Sequence, residues 1–141
     1  MWGMALATTY GARGDRLRAR SYADSSRLAI APELRRMPND AGNHIIMAVA
    51  LAYAGRGGEA VAEGERATRM LPVNGNATRG YYFQEILAQI YTMVGEREKA
   101  LNSLEQLLRL PGYVTPAWLR INPNYAPLRG DPRFERMMSG R

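Results

Sequence analysis

A pattern of four residues occurs three times in this chain at nearly constant spacing. Each copy has an alanine, a tyrosine or leucine three positions later, a glycine and a second alanine. The copies are Ala7, Tyr10, Gly14 and Ala19; Ala48, Leu51, Gly55 and Ala60; and Ala88, Tyr91, Gly95 and Ala100. Gly14 and Gly55 are 41 residues apart, and Gly55 and Gly95 are 40 apart. A repeat of this length predicts stacked helical hairpins, in which each hairpin buries its apolar face against the next.

The residue types at the repeated positions suit the contact between two paired helices. Such helices cross about 8–10 Å apart, so the residues at the contact must be small. A glycine between the two helices permits the left-handed backbone that ends the first helix and opens the turn. The pattern therefore places an alanine contact in each pair and a left-handed turn at each glycine.

Apolar residues recur at helical spacing along the chain, and no segment alternates as a strand does. We expect a single all-α domain over 1–141, with hairpins at about 1–37, 40–71 and 79–110. The second helix of the first hairpin is expected to run from Asp15 to Met37, with a kink or a break near Ala31 caused by Pro32. The loop at 73–80, rich in Asn and Gly, is expected to separate the second and third hairpins.

Residues 111–141 are expected to form a proline-rich C-terminal cap. Pro116, Pro123, Pro127 and Pro132 prevent a long helix, and a short helix is expected from about Pro132 to Met138. The large apolar residues of this segment are too numerous for a free end: Trp118, Leu119, Ile121, Tyr125, Leu128, Phe134 and Met137. They predict a segment that folds over the exposed apolar face of the third hairpin, with Trp118 more readily explained as part of the cap than as a ligand site.

The composition argues against several classes of function. The chain has no cysteine and one histidine, His44, which is expected to be packed or on the surface; no catalytic group, metal site or cofactor is predicted. The longest apolar run, 45–54, has 10 residues, against about 20 for a membrane span. We therefore expect a non-enzyme without a membrane span in this chain, placed in the cytoplasm or in an extracytoplasmic part of a membrane-anchored parent.

The net charge of +6 comes from 18 arginines and one lysine. The arginines are scattered and are not interleaved with aromatic residues, as in proteins that bind single-stranded nucleic acid. A solvated charged face is the expected role, and nucleic acid is an unlikely partner. Arginine-mediated binding of nucleic acid or of an acidic ligand stays open as the alternative function.

The segment from Gly55 to Pro72, with Ala60 and Ala67, resembles a tetratricopeptide repeat (TPR), and the segment from Ala88 to Ala100 repeats the pattern. The first copy fits more loosely because its second helix is longer. The resemblance covers roughly residues 1–111 and implies an α-α superhelix of about three TPR-like hairpins. The segments 63–72, 104–108 and 116–134 resemble, more narrowly, the C-terminal TPR region of large bacterial signalling proteins, where such segments follow a kinase, cyclase or winged-helix domain. This implies a scaffold for protein-protein interaction, as a regulatory or assembly module.

In such a scaffold the first helices of the hairpins line a groove, which here is mostly apolar and suits an apolar segment of a partner protein or peptide. The lysine and asparagine with which some TPR proteins hold a terminal carboxylate are absent from these helices. Packing of the groove face on itself or on a neighbouring domain is the alternative. The expected groove residues are Met4, Thr8, Ile45, Val49, Tyr53, Glu85, Gln89 and Met93.

The N-terminal end has no segment comparable to the C-terminal cap. Met1, Trp2 and Met4 are apolar and lie where an earlier repeat would stack. Two explanations follow: the chain is a piece of a longer protein, or Met1, Trp2 and Met4 form a self-association face. In the second case the N-terminal hairpin would form a homodimer, in which the same patch is used twice.

Overall fold

The computed structural model describes residues 2–140, without the side chain of Trp2. These residues form eight α-helices and one 3-10 helix, and no strand occurs among them. The prediction of an all-α fold is confirmed. The helices are α1 (Trp2–Ala12), α2 (Arg16–Arg36), α3 (Ala41–Tyr53), α4 (Gly57–Met70), α5 (Arg79–Val94), α6 (Arg97–Arg109), α7 (Pro116–Ile121), the 3-10 helix (Pro123–Leu128) and α8 (Pro132–Ser139).

The chain forms two compact units, Met1–Leu71 and Pro72–Arg141. In the first unit, α1 packs on α2, α3 packs on α4, and α2 also packs on α3. In the second unit, α5 packs on α6, the 3-10 helix lies against α5, and α8 contacts α7 and α6. The helix pairs α1–α2, α3–α4 and α5–α6 lie within the three expected hairpin ranges.

The repeated residues occupy equivalent places in the three helix pairs. All six alanines of the pattern are buried, and Gly14, Gly55 and Gly95 have left-handed backbone, with φ of 78°, 80° and 84°. The carbonyl of the large residue of each copy accepts a hydrogen bond of 2.9 Å from the amide that follows the glycine. These donor and acceptor pairs are Asp15 to Tyr10, Arg56 to Leu51 and Glu96 to Tyr91. Such a bond across a left-handed glycine is the usual closure of a helix C-terminus.

Helix α2 departs from the expectation for Pro32. The helix begins after Asp15, whose carboxylate accepts a hydrogen bond from the Arg18 amide, and it continues unbroken through Pro32 to Arg36. Of the two expected alternatives, a kink or a break near Ala31, the break is therefore wrong. Pro32 lies on an exposed part of the helix, as does Leu28, so the Leu28 carbonyl that loses its helical donor lies near solvent.

The C-terminal segment is a folded part of the second unit. Each of its three short helices begins with a proline, and the side chain of the preceding residue caps the helix: Thr115, Asn122 and Asp131. Proline suits this position because its missing N–H would have no partner there. The segment buries four large side chains almost completely: Leu119, Tyr125, Leu128 and Phe134.

Candidate binding surfaces

The eight expected groove residues belong to three sets of equivalent repeat positions. Positions in one set differ by the repeat spacing of 41 or 40 residues. The inner set is Met4, Ile45 and Glu85; the middle set is Thr8, Val49 and Gln89; the outer set is Tyr53 and Met93. The structure can therefore be compared set by set, within each unit.

The inner set does not face solvent. Ile45 is 4% exposed and Glu85 is 2% exposed, while Met4 is half-buried. The expectation that Ile45 and Glu85 line an open groove is therefore corrected. The residue after Ile45 is the accessible one, because Ile46 is 41% exposed; the next residue of an α-helix points about 100° away.

Two short stripes, apolar except for Gln89, remain accessible on the first helices of the second and third pairs. The α3 stripe consists of Ile46, Val49 and Tyr53, and the α5 stripe consists of Ile86, Gln89 and Met93. Met93 is 40% exposed, and the middle residues of the two stripes, Val49 and Gln89, are half-buried. Within each stripe the spacings are 3 and 4 residues, which place the side chains on one helix face.

Tyr53 has a structural role in addition to its place in the α3 stripe. Its ring packs against the alanine cluster of Ala7, Ala23 and Ala54. A Cβ added to Gly11 would lie only 2.7 Å from the Tyr53 ring, so α1 and α3 approach closely there. Burial raises the pKa of the Tyr53 phenol. A substitution at Tyr53 would therefore disturb the first unit as well as the stripe.

The N-terminal helix shows part of the surface that the sequence singled out. Thr8 is exposed, and its hydroxyl donates to the carbonyls of Met4 and Ala5 at 3.1 and 2.9 Å. Met4 is half-buried. Met1 and the Trp2 side chain lie outside the described part of the chain, so self-association through this end stays a prediction.

Glu85 is bound by its own helix and by the C-terminal segment. The Gln89 amide donates to both carboxylate oxygens at 2.7 and 2.8 Å, and the Tyr125 hydroxyl donates to Oε1 at 3.0 Å. Burial raises the pKa of Glu85, and the two hydrogen-bond donors act against that rise. Burial and the nearby carboxylate raise the pKa of Tyr125, so its phenol keeps the proton that it donates.

His44 is buried and both of its ring nitrogens have partners. Nδ1 lies 2.5 Å from Oε2 of Glu63 on α4, and Nε2 lies 2.7 Å from the Pro38 carbonyl oxygen. His44, expected to be packed or on the surface, is packed, and Glu63 is half-buried against it. These contacts join α3 to α4 and to the segment that precedes α3, which makes the histidine a structural crosslink.

Several arginines pair with an acid one turn away on the same helix or at its start, as Arg18 does with Asp15, Arg27 with Asp24 and Arg56 with Glu59. Such pairs at the surface stabilise a helix weakly. Over residues 2–140, no cluster of three or more His, Asp or Glu side chains could hold a metal ion. None of the helices described is both long and apolar enough to cross a membrane.

Comparison of the chain with protein-family models, with curated proteins and with solved structures found no match. The resemblance to tetratricopeptide repeats therefore rests on the residues quoted above. The contact between Tyr125 and Glu85 was not predicted, although one signal in the sequence pointed to it. An acid occupies the repeat position at which the second copy has Ile45, and a buried acid needs a hydrogen-bond donor from elsewhere.

Proposed function

We propose that this chain is a non-catalytic scaffold for protein-protein interaction, of tetratricopeptide type, and that it acts as a regulatory or assembly module of a bacterial signalling protein. Its contact surfaces are the α3 stripe and the α5 stripe. The signalling role rests on the resemblance of segments 63–72, 104–108 and 116–134.

The recurrence of accessible apolar residues at equivalent repeat positions carries this proposal. Ile46 and Met93 are large apolar side chains with about two fifths of their surface in water. Single exposed apolar residues are common and need no explanation. Here, however, the α3 and α5 stripes occupy the same repeat positions, on the helices that line the groove in helical-repeat scaffolds. An apolar segment of a partner would bury these side chains and gain about 25 cal/mol per Å² of apolar surface removed from water.

The test is a selection of peptides that bind the full chain from a displayed random library, followed by affinity measurements on three variants. We expect the selected peptides to be apolar or aromatic. Ile46→Ser or Met93→Ser should weaken their binding by about tenfold or more, since each loses an apolar anchor. Leu28→Ser is the matched control, because Leu28 is 63% exposed on α2, outside both stripes.

Far-UV circular dichroism and urea midpoints of the three variants should match those of the parent chain, since the substituted side chains are exposed. Equal weakening by Leu28→Ser, or the lack of any effect of Ile46→Ser and Met93→Ser on every selected peptide, would contradict the proposal.

A further inference from the structure

A cavity of about 370 Å³ lies in the second unit between α6, the start of α7 and α8. Its volume is in the range of small-molecule sites. Three arginines and one acid are among the residues that line it: Arg109, Arg133, Arg136 and Glu105. Leu108, Pro116 and Met137 supply an apolar wall.

The Arg133 guanidinium makes four hydrogen bonds within the fold. It donates to both carboxylate oxygens of Glu105 at 3.1 and 3.0 Å, to Glu98 at 2.8 Å and to the Asn102 side chain at 2.8 Å. These acceptors all lie on α6, so Arg133 attaches α8 to α6. Because Glu105 is paired with Arg133, it leaves no acceptor charge for the other two arginines of the cavity.

Arg109 on α6 and Arg136 on α8 supply two positive charges without a salt-bridge partner among residues 2–140. Both guanidiniums act on the same carboxylate: the hydrogen bond from Arg133 lowers the pKa of Glu105, and the charges of Arg109 and Arg136 lower it further. Three cations therefore lie close enough to share one electrostatic environment, in which the two acids, Glu105 and Glu98, are both paired with Arg133.

We propose that this cavity binds a small phosphate ester, with the phosphate between Arg109 and Arg136 and the organic group against Leu108, Pro116 and Met137. Guanidinium groups bind phosphate oxygens with paired, charge-assisted hydrogen bonds. Because Arg109 and Arg136 belong to two different helices of the cavity wall, they can donate to different oxygens of one phosphate. The dianion matches the two charges of Arg109 and Arg136, and the apolar wall favours an ester over inorganic phosphate.

The test is calorimetric titration of the full chain at low ionic strength with phenyl phosphate and, separately, with inorganic phosphate. We expect saturable binding with one site per chain, and tighter binding of phenyl phosphate. The double variant Arg109→Gln, Arg136→Gln should bind phenyl phosphate about tenfold more weakly or worse, since it lacks both cations. Its fold is expected to persist because neither guanidinium is paired; circular dichroism checks this.

The matched control is the double variant Arg16→Gln, Arg35→Gln, which loses the same net charge from exposed positions on α2. It should retain the affinity of the parent chain within about twofold, because neither arginine lines the cavity and neither can donate to the bound phosphate. Equal weakening of the two double variants would show only a net-charge effect and overturn the proposal. So would the absence of saturable binding to the parent chain, or inorganic phosphate binding as tightly as phenyl phosphate.

Discussion

Replacing Tyr125 with phenylalanine removes a buried hydroxyl that donates to the Glu85 carboxylate at 3.0 Å and leaves the aromatic ring in place. The ring contact with Trp118, at 5.9 Å between centroids, is retained, so no large cavity forms. A hydrogen bond to a charged group contributes about 1.5–3 kcal/mol. Because Gln89 still donates to both oxygens of Glu85, we expect a loss near the lower end, about 2 kcal/mol at pH 7.

The loss should depend on pH, and its sign follows from the buried carboxyl. Burial raises the pKa of Glu85 above the ordinary value of 4.5, whereas the Tyr125 hydroxyl opposes the rise. A group whose pKa is higher in the folded than in the unfolded state makes its full contribution to stability at pH values below its unfolded pKa. That contribution is lost as the pH rises through the folded pKa. Without the hydroxyl the pKa of Glu85 rises further. Tyr125→Phe should therefore lower the free energy of unfolding more at pH 7 than at pH 4. At pH 4 the substitution removes only a hydrogen bond between neutral groups, worth about 1 kcal/mol.

The assay is urea unfolding followed by tryptophan fluorescence. The chain has two tryptophans, so a Trp2→Phe background leaves Trp118, which contacts Tyr125, as the reporter. Tyr82→Phe is the control, because Tyr82 lies on the same helix, α5, and is about half exposed; its effect should stay within about 0.5 kcal/mol. A loss below about 0.5 kcal/mol for Tyr125→Phe at pH 7, or a larger loss at pH 4, would refute the role assigned to this hydrogen bond.

Two further substitutions test close contacts in the fold. A Cβ added to Gly112 would lie 2.3 Å from the Tyr81 ring, so Gly112→Ala should destabilise the chain by about 1–3 kcal/mol in urea unfolding. Gly58→Ala on α4 is the control, because the new Cβ has open space around it, and it should stabilise the chain by up to about 1 kcal/mol. Equal effects of the two substitutions would contradict the crowding argument. His44→Ala removes both side-chain contacts that join α3 to Glu63 and Pro38 and should cost about 2–4 kcal/mol in urea unfolding followed by far-UV circular dichroism. Glu63→Gln keeps an acceptor oxygen opposite His44 and should cost less; a larger loss for Glu63→Gln than for His44→Ala would count against the crosslink.

The elements that depend on local chemistry could be predicted from the sequence. A glycine that follows a helix can end it with a left-handed turn at little cost, because it has no side chain. The turns at Gly14, Gly55 and Gly95, and the start of α8 at Pro132, lie where the sequence placed them. Pro32 is the exception, because an exposed helix can tolerate the missing hydrogen bond when water reaches the freed carbonyl.

The phase of the first helices could not be decided from the pattern. Ile45 and Ile46 are adjacent and equally apolar, so periodicity does not show which of them faces the core. Neighbouring residues on a helix differ in direction by about 100°, and an error of one position exchanges a buried residue for an exposed one. The same error of one position led to the expectation that Glu85 lies on the surface. Its hydrogen-bond partner Tyr125 is 40 residues away in the chain, so no local pattern indicated this contact.

The division into two units and the contacts of His44 also depend on residues that are far apart in the sequence. Spacing rules predict which helices pair, because a short connection leaves paired helices side by side. They do not predict a hydrogen bond between His44 and Glu63, which requires a particular depth of both side chains. Site residues that are defined by such pairs therefore became visible only in the structure.

The bond between Tyr125 and Glu85 limits how freely the third helix pair can be exchanged. Helical repeats are often treated as interchangeable cassettes that can be duplicated, deleted or grafted. The pair α5–α6 carries an acid at a position where the second pair carries isoleucine, and that acid is satisfied in part by a residue of the C-terminal segment. A transplant of α5–α6 without residues 122–128 would leave the buried Glu85 carboxyl without one of its hydrogen-bond donors, so recombination or engineering has to move the hairpin and its tail as a single cassette.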